Sequence, residues 1–148
     1  MILAHKLIFF GTNSCATCAF TLPLLSLAQK QRLIDDIDIK IFTSKESYEK
    51  ATLELLTKHF DNLWRPYWNA KGTPVPLIMV QPKESSRWCL SRPDVLLATI
   101  QELNSYLQAD GGDLAIMEWL DNEAEFTNEL INFLVKLVSN LIVPKIEK

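Results

Sequence analysis

The spacing of apolar residues changes several times along this chain, and each change marks an element. Residues 6–11 carry the unbroken apolar run Leu7-Ile8-Phe9-Phe10 and meet the turn cluster Gly11-Thr12-Asn13-Ser14, which predicts a strand buried on both faces followed by a loop. After that loop Phe20, Leu22, Leu24, Leu25, Leu27 and Ala28 fall at helical spacing to about Arg32, with Pro23 as a kink inside the helix. Ile37, Ile39 and Ile41 then alternate with Asp38 and Lys40, which predicts a strand over 37–43. Ser44 is placed to cap a helix over 44–63, with Ser47 three residues on. The expected order up to here is β-α-β-α.

An aromatic-rich connection over 64–72, with Trp64, Tyr67 and Trp68, leads into Thr73-Pro74-Val75-Pro76 and an apolar strand over 75–80. Past the turn at 82–86, residues 87–90 suit a short edge strand. A helix over 93–107 follows, with Ser91 as its cap and Asp94 in its first turn. The remainder reads as an addition. Asp110-Gly111-Gly112-Asp113 breaks the chain, residues 114–120 show no assignable period, and 123–143 is strongly amphipathic. Its apolar face holds Phe126, Leu130, Phe133, Leu134, Leu137, Leu141 and Ile142. The expected organisation is a domain over 1–108 and a helical extension over 109–148, packed back on the domain or used for association, a homodimer included.

With 148 residues, 48% of them hydrophobic, the chain can fill one core and not two. Its net charge of -3 and its lack of any Lys or Arg run argue against nucleic acid and against an anionic membrane surface as partners. The apolar run near the N-terminus is too short for a secretory signal, and the stretch 130–143 is broken by Asn132, Lys136, Ser139 and Asn140. The expectation is a soluble, cytoplasmic protein. Three cysteines do not make a disulfide framework, and in a reducing compartment a close Cys-X-X-Cys pair is catalytic or metal-binding more often than structural.

Cys15 and Cys18 stand where the first strand's loop meets the first helix. Thiol exchange needs a thiolate, and the free amides and dipole of a helix start favour that anion, lowering a cysteine pKa from about 8.5 to roughly 3.5–7.5 in known cases. Two intervening residues in helical geometry bring Cys18 to the same face one turn later, within reach of a mixed disulfide on Cys15. Zinc sites use the same spacing, but their remaining ligands would have to come from Cys89 or a distant His. Cys89, between Trp88 and Leu90, is expected to be a buried, inert thiol, and His5 and His59 to have surface roles.

Three features together resemble the thioredoxin superfamily in its smaller, glutaredoxin-like version. They are Lys6-Leu-Ile-Phe-Phe-Gly-Thr-Asn-Ser-Cys15-Ala-Thr-Cys18, Thr73-Pro-Val-Pro76-Leu-Ile-Met-Val80, and the order β-α-β-α-β-β-α. The resemblance covers about residues 5–108. It implies an α/β fold of three layers, α/β/α, with a four-stranded mixed sheet, to which this chain adds a C-terminal helix. It implies a cis-proline at Pro76, and a substrate groove shaped by Thr73, Val75 and Pro76. The implied activity is thiol-disulfide exchange with protein or small-thiol disulfides, Cys15 attacking and Cys18 resolving. No bound cofactor is needed, and electrons come from a reductase or from glutathione. Ala16-Thr17 stands where thioredoxins carry Gly-Pro and glutaredoxins Pro-Tyr. Phe9 stands where thioredoxins place a buried carboxylate, so proton transfer falls to solvent. The alternative reading keeps the fold without the catalysis: a binding module acting through the Trp64–Trp68 surface or the C-terminal helix, or a redox-sensing switch.

Overall fold

Because side chains alternate along a strand, a run without polar breaks must be covered on both sides, and the first strand of the computed structural model shows this directly. The structure describes residues 2–60, 75–91, 96–99, 101–102 and 128–142. Strand β1 (Ala4–Thr12) buries Leu7 and Phe9 on one face and Ile8 on the other. It lies between β2 (Ile34–Phe42), to which it is parallel, and β3 (Leu77–Pro82), to which it is antiparallel. Strand β4 (Cys89–Leu90) pairs antiparallel with β3 through Met79↔Leu90 and Val80↔Cys89. The sheet is four-stranded and mixed, in the order β2-β1-β3-β4.

Helix α1 (Ala16–Lys30) connects the two parallel strands, and α2 (Lys45–His59) follows β2. Leu24, Leu25 and Ala28 of α1 are buried in one cluster with Leu7 and Phe9 of β1 and Ile78 and Val80 of β3. The opposite face gathers Ile8, Leu77, Met79 and Leu90 around Leu56 of α2. Helices therefore cover both faces, giving the α/β fold with a mixed sheet, compatible with the thioredoxin-like arrangement the sequence resembles.

Helix α3 (Asn128–Ile142) lies on the α1 face, where Leu134, Leu137, Val138 and Leu141 join the larger cluster with Leu96. Full burial of each such side chain contributes about 1.5–3 kcal/mol, so this helix is part of the core that holds α1 in place. Ser91 donates its hydroxyl proton to the Leu141 carbonyl at 2.7 Å; the residues it is expected to cap, 92–95, lie outside the described residues. Asn140 bonds Thr99 at 3.1 Å and Lys136 pairs with Glu102 at 2.6 Å, so the helical residues 96–99 and 101–102 are joined to α3 by polar contacts as well.

The element ends follow local chemistry. Helix α1 stops where Arg32 takes φ 60°, with Leu33 N–H bonded to Ala28 O and Arg32 N–H to Gln29 O. This is the two-bond C-terminal motif that glycine usually serves. Helix α1 runs through Pro23. Strand β2 begins earlier than its alternation suggests, because Ala4↔Ile34 and Lys6↔Asp36 pairing recruits Asp35 and Asp36, residues with low strand preference. The aromatic cluster at 64–68, Thr73, Asp94 and the segment 103–127 lie outside the described residues.

Candidate functional site

The pair of cysteines is placed by the join between β1 and α1. Thr12 ends the strand, and its carbonyl accepts from Cys15 N–H at 3.3 Å; Asn13 N–H bonds the Phe42 carbonyl at 3.2 Å, tying the loop to the end of β2. The chain then enters α1, with Ala19 N–H bonding Cys15 O at 3.2 Å as the first helical bond. Cys15 is the N-cap, in extended backbone conformation, and its Sγ accepts from Cys18 N–H at 3.0 Å. Sulfur thus fills the role that a Ser or Asp oxygen fills at most helix starts.

Cys15 and Cys18 lie close enough to form a disulfide, their Cα atoms 5.2 Å apart, well within the range such bridges span. Their environments differ. Cys15 is half-buried at the helix start, whereas Cys18 is 2% exposed and belongs to the core cluster on the α1 face. The electrostatic setting favours an anion at Cys15: the first turn of α1 contains no acidic residue to occupy the amides. Next to Cys18 lie Phe9 and Gly11, the second and third of the positions Leu7, Phe9 and Gly11 that face α1.

Val75 and Pro76 arrive at the same end of the sheet. The Val75–Pro76 peptide bond is cis. Pairing of β1 with β3 ends at Phe10↔Leu77, and one step further along the two strands stand Gly11 and Pro76. The residue that contacts Cys18 and the cis-proline are therefore at the same level of adjacent strands. Val75 keeps 37% of its surface exposed, an apolar side chain facing solvent beside the cysteine pair's end of the sheet. Thr73, the third residue expected to shape this groove, lies outside the described residues.

Two residues near this end of the sheet escape sequence reasoning. Gly11 reads as the first residue of a turn, yet it is the last residue but one of β1, paired with Ile41. Its signal is a glycine where the Leu7, Phe9 alternation calls for a large side chain. Tyr48 is buried under the start of β3, its hydroxyl facing Thr52 and the Leu77 backbone, and burial pushes its phenol pKa up. It forms an edge-on series with Phe42 and Phe10, at centroid distances of 5.7 and 5.3 Å. The visible signal was the four-residue spacing of Tyr48, Thr52 and Leu56, all buried on one side of α2.

Cys89 is buried and unpaired, and burial pushes its thiol pKa up, which disfavours the reactive thiolate. His59 is not simply a surface residue: its ring rests 5.4 Å from that of Trp88, and burial with the adjacent Lys58 lowers its pKa. Among the described residues no group of three or more His, Cys, Asp or Glu is arranged to hold a metal ion. Among them, too, no helix is long and apolar enough to cross a membrane. In comparisons with known proteins the chain matches no family model, no curated protein and no solved structure.

Proposed function

We propose that the protein is a thiol-disulfide oxidoreductase that works through Cys15 and Cys18. The observation that carries this reading is the bond from Cys18 N–H to Cys15 Sγ at the start of α1, between two cysteines close enough to form a disulfide. A helix start with an amide directed at sulfur and no acidic side chain in its first turn stabilises a thiolate, the form that attacks.

In the reducing direction, the Cys15 thiolate attacks one sulfur of a client disulfide and releases the other as a thiolate, leaving a mixed disulfide. Cys18 then attacks Cys15 Sγ, frees the second client sulfur and closes the Cys15–Cys18 bond. Two electrons have passed to the client, and two thiols of a reductase or of glutathione return the protein to its dithiol form. In the oxidising direction each step runs backwards. The roles follow from access: the half-buried Cys15 meets the client and the buried Cys18 meets only Cys15. Val75 and Pro76 form the wall against which an extended client lies, with the exposed Val75 side chain as its apolar contact.

The test is a redox titration in glutathione buffers, read by thiol alkylation and mass. A reversible two-electron transition of the Cys15–Cys18 pair between about -270 and -120 mV, the span of known oxidoreductases of this chemistry, is the expected result. Absence of any such transition removes the reading.

A further inference from the structure

Glycine inside a strand is destabilising by roughly 0.5–1 kcal/mol relative to alanine, so its presence there calls for a reason. At Gly11 the backbone supplies none: the residue is ladder-paired with Ile41, and its φ lies outside the left-handed region. Space supplies one. A Cβ at position 11 would stand 2.8 Å from Cys18 Sγ, 2.9 Å from Phe9 Cε1 and 3.3 Å from Cys18 Cβ. The volume that a side chain would take on this face of β1 is filled by the buried sulfur.

We propose that Gly11 is a positioning residue that sets the balance between the disulfide and dithiol forms, by leaving open the volume that Cys18 Sγ occupies in the disulfide. The inference rests on the exchange reading above. In the disulfide, Cys18 Sγ is tied to Cys15 on one side and meets position 11 on the other, so it cannot turn away from an added methyl. Once the bond is reduced, Cys18 can move its sulfur to another staggered position. Crowding at position 11 therefore penalises one redox form more than the other, whereas crowding of Phe9 acts on both alike.

The experiment measures the equilibrium of the protein disulfide plus two glutathione thiols with the protein dithiol plus glutathione disulfide. It is run on the full chain, on Gly11→Ala, and on Gly11→Ala combined with Phe9→Leu, which removes the Cε1 contact while keeping the one to sulfur. The expected result is a shift of about tenfold toward the dithiol in both variants, equivalent to about 30 mV for a two-electron couple. An unmoved equilibrium, or one moved toward the disulfide, overturns the proposal even if both variants are less stable to urea. Failure of both variants to fold under reducing conditions overturns it too, because the dithiol is the form the added methyl should spare. If the unaltered chain shows no transition, the exchange reading itself has failed, and that outcome is seen before any variant is compared.

Discussion

Helices α1 and α2 are each fifteen residues long and start in the same way. In α1 the Cys15 Sγ accepts from the amide three residues on at 3.0 Å; in α2 the Ser44 Oγ accepts from Ser47 N–H at 3.1 Å. The geometry is shared and the atom differs. With oxygen the cap only satisfies an amide that would otherwise lack a partner. With sulfur the same amide meets an atom that can also bond a second sulfur, and the residue one turn on decides whether one is there. In α1 that residue is Cys18, buried, whereas in α2 it is Ser47, exposed, which bonds the Ser44 hydroxyl at 2.8 Å. The first turns differ as well, since α2 carries Glu46 there and α1 carries no acid. One helix start thus differs from the other by one atom, by the absence of an acid in its first turn and by a buried second thiol one turn on.

The largest expected effect comes from giving α1 the cap of α2. Cys15→Ser retains a cap acceptor and abolishes the two-electron transition outright, since a hydroxyl cannot close the bond to Cys18. Under reducing conditions its urea stability should stay within about 0.5 kcal/mol of the unaltered chain, because serine is among the preferred caps. A large loss of stability would mean that sulfur serves the helix in some way oxygen cannot.

The helices also differ in what they bury, and this predicts the next effect. Leu25→Ala in α1, at a fully buried position packed in the cluster shared with α3, should cost about 2–5 kcal/mol in urea unfolding. Leu53→Ala in α2, at a site 43% exposed, should stay within about 0.5 kcal/mol. Equal costs would contradict the packing of α1 against α3.

Smaller again, Ser44→Ala should lower stability by about 1 kcal/mol through loss of its cap, with the redox equilibrium unchanged. A shift in that equilibrium would show that the two helix starts are coupled.

The smallest effect concerns pH and the third cysteine. Burial holds the Cys89 thiol above its ordinary value of 9.0, so above that pH the unfolded chain has released a proton that the folded chain retains. The unfolded state then binds fewer protons, and stability falls as pH rises. The contribution is fully present below pH 9. Tyr48, pushed up from 10.0 by burial, extends the decline. Urea midpoints measured from pH 7 to 10.5 should therefore drop at the upper end, and Cys89→Ala should flatten the part that begins near pH 9. A drop unchanged in that variant would assign it to other groups.

Much of this was legible locally. The run Leu7-Ile8-Phe9-Phe10 stated its own burial on both faces, Ser44 announced the start of α2, and the Cys15–Cys18 spacing put two cysteines within bonding reach, because caps, turns and strand alternation are interactions between near neighbours. The amphipathic pattern read over 123–143 likewise pointed to Leu134, Leu137 and Leu141 as residues that needed cover, although not to what would cover them.

Contacts between residues distant in sequence depend on sheet register and on which helix reaches which face, and no local pattern encodes either. Alternation made Ile37, Ile39 and Ile41 one face of β2. Only the edge position of that strand decided that Ile39 and Ile41 remain exposed while their β1 partners, Phe9 and Gly11, face inward. Ser91 meets Leu141 because β4 ends against α3, fifty residues further along the chain. Gly11 lies beside Cys18 because α1 turns back over β1 directly after the loop, and level with Pro76 because β3 runs antiparallel to β1 in one register. The close cysteine pair was written in the order of residues; the neighbour of its buried sulfur, Gly11, was decided by the packing of α1 over β1, since volume can be shared only by groups that the fold has first brought together.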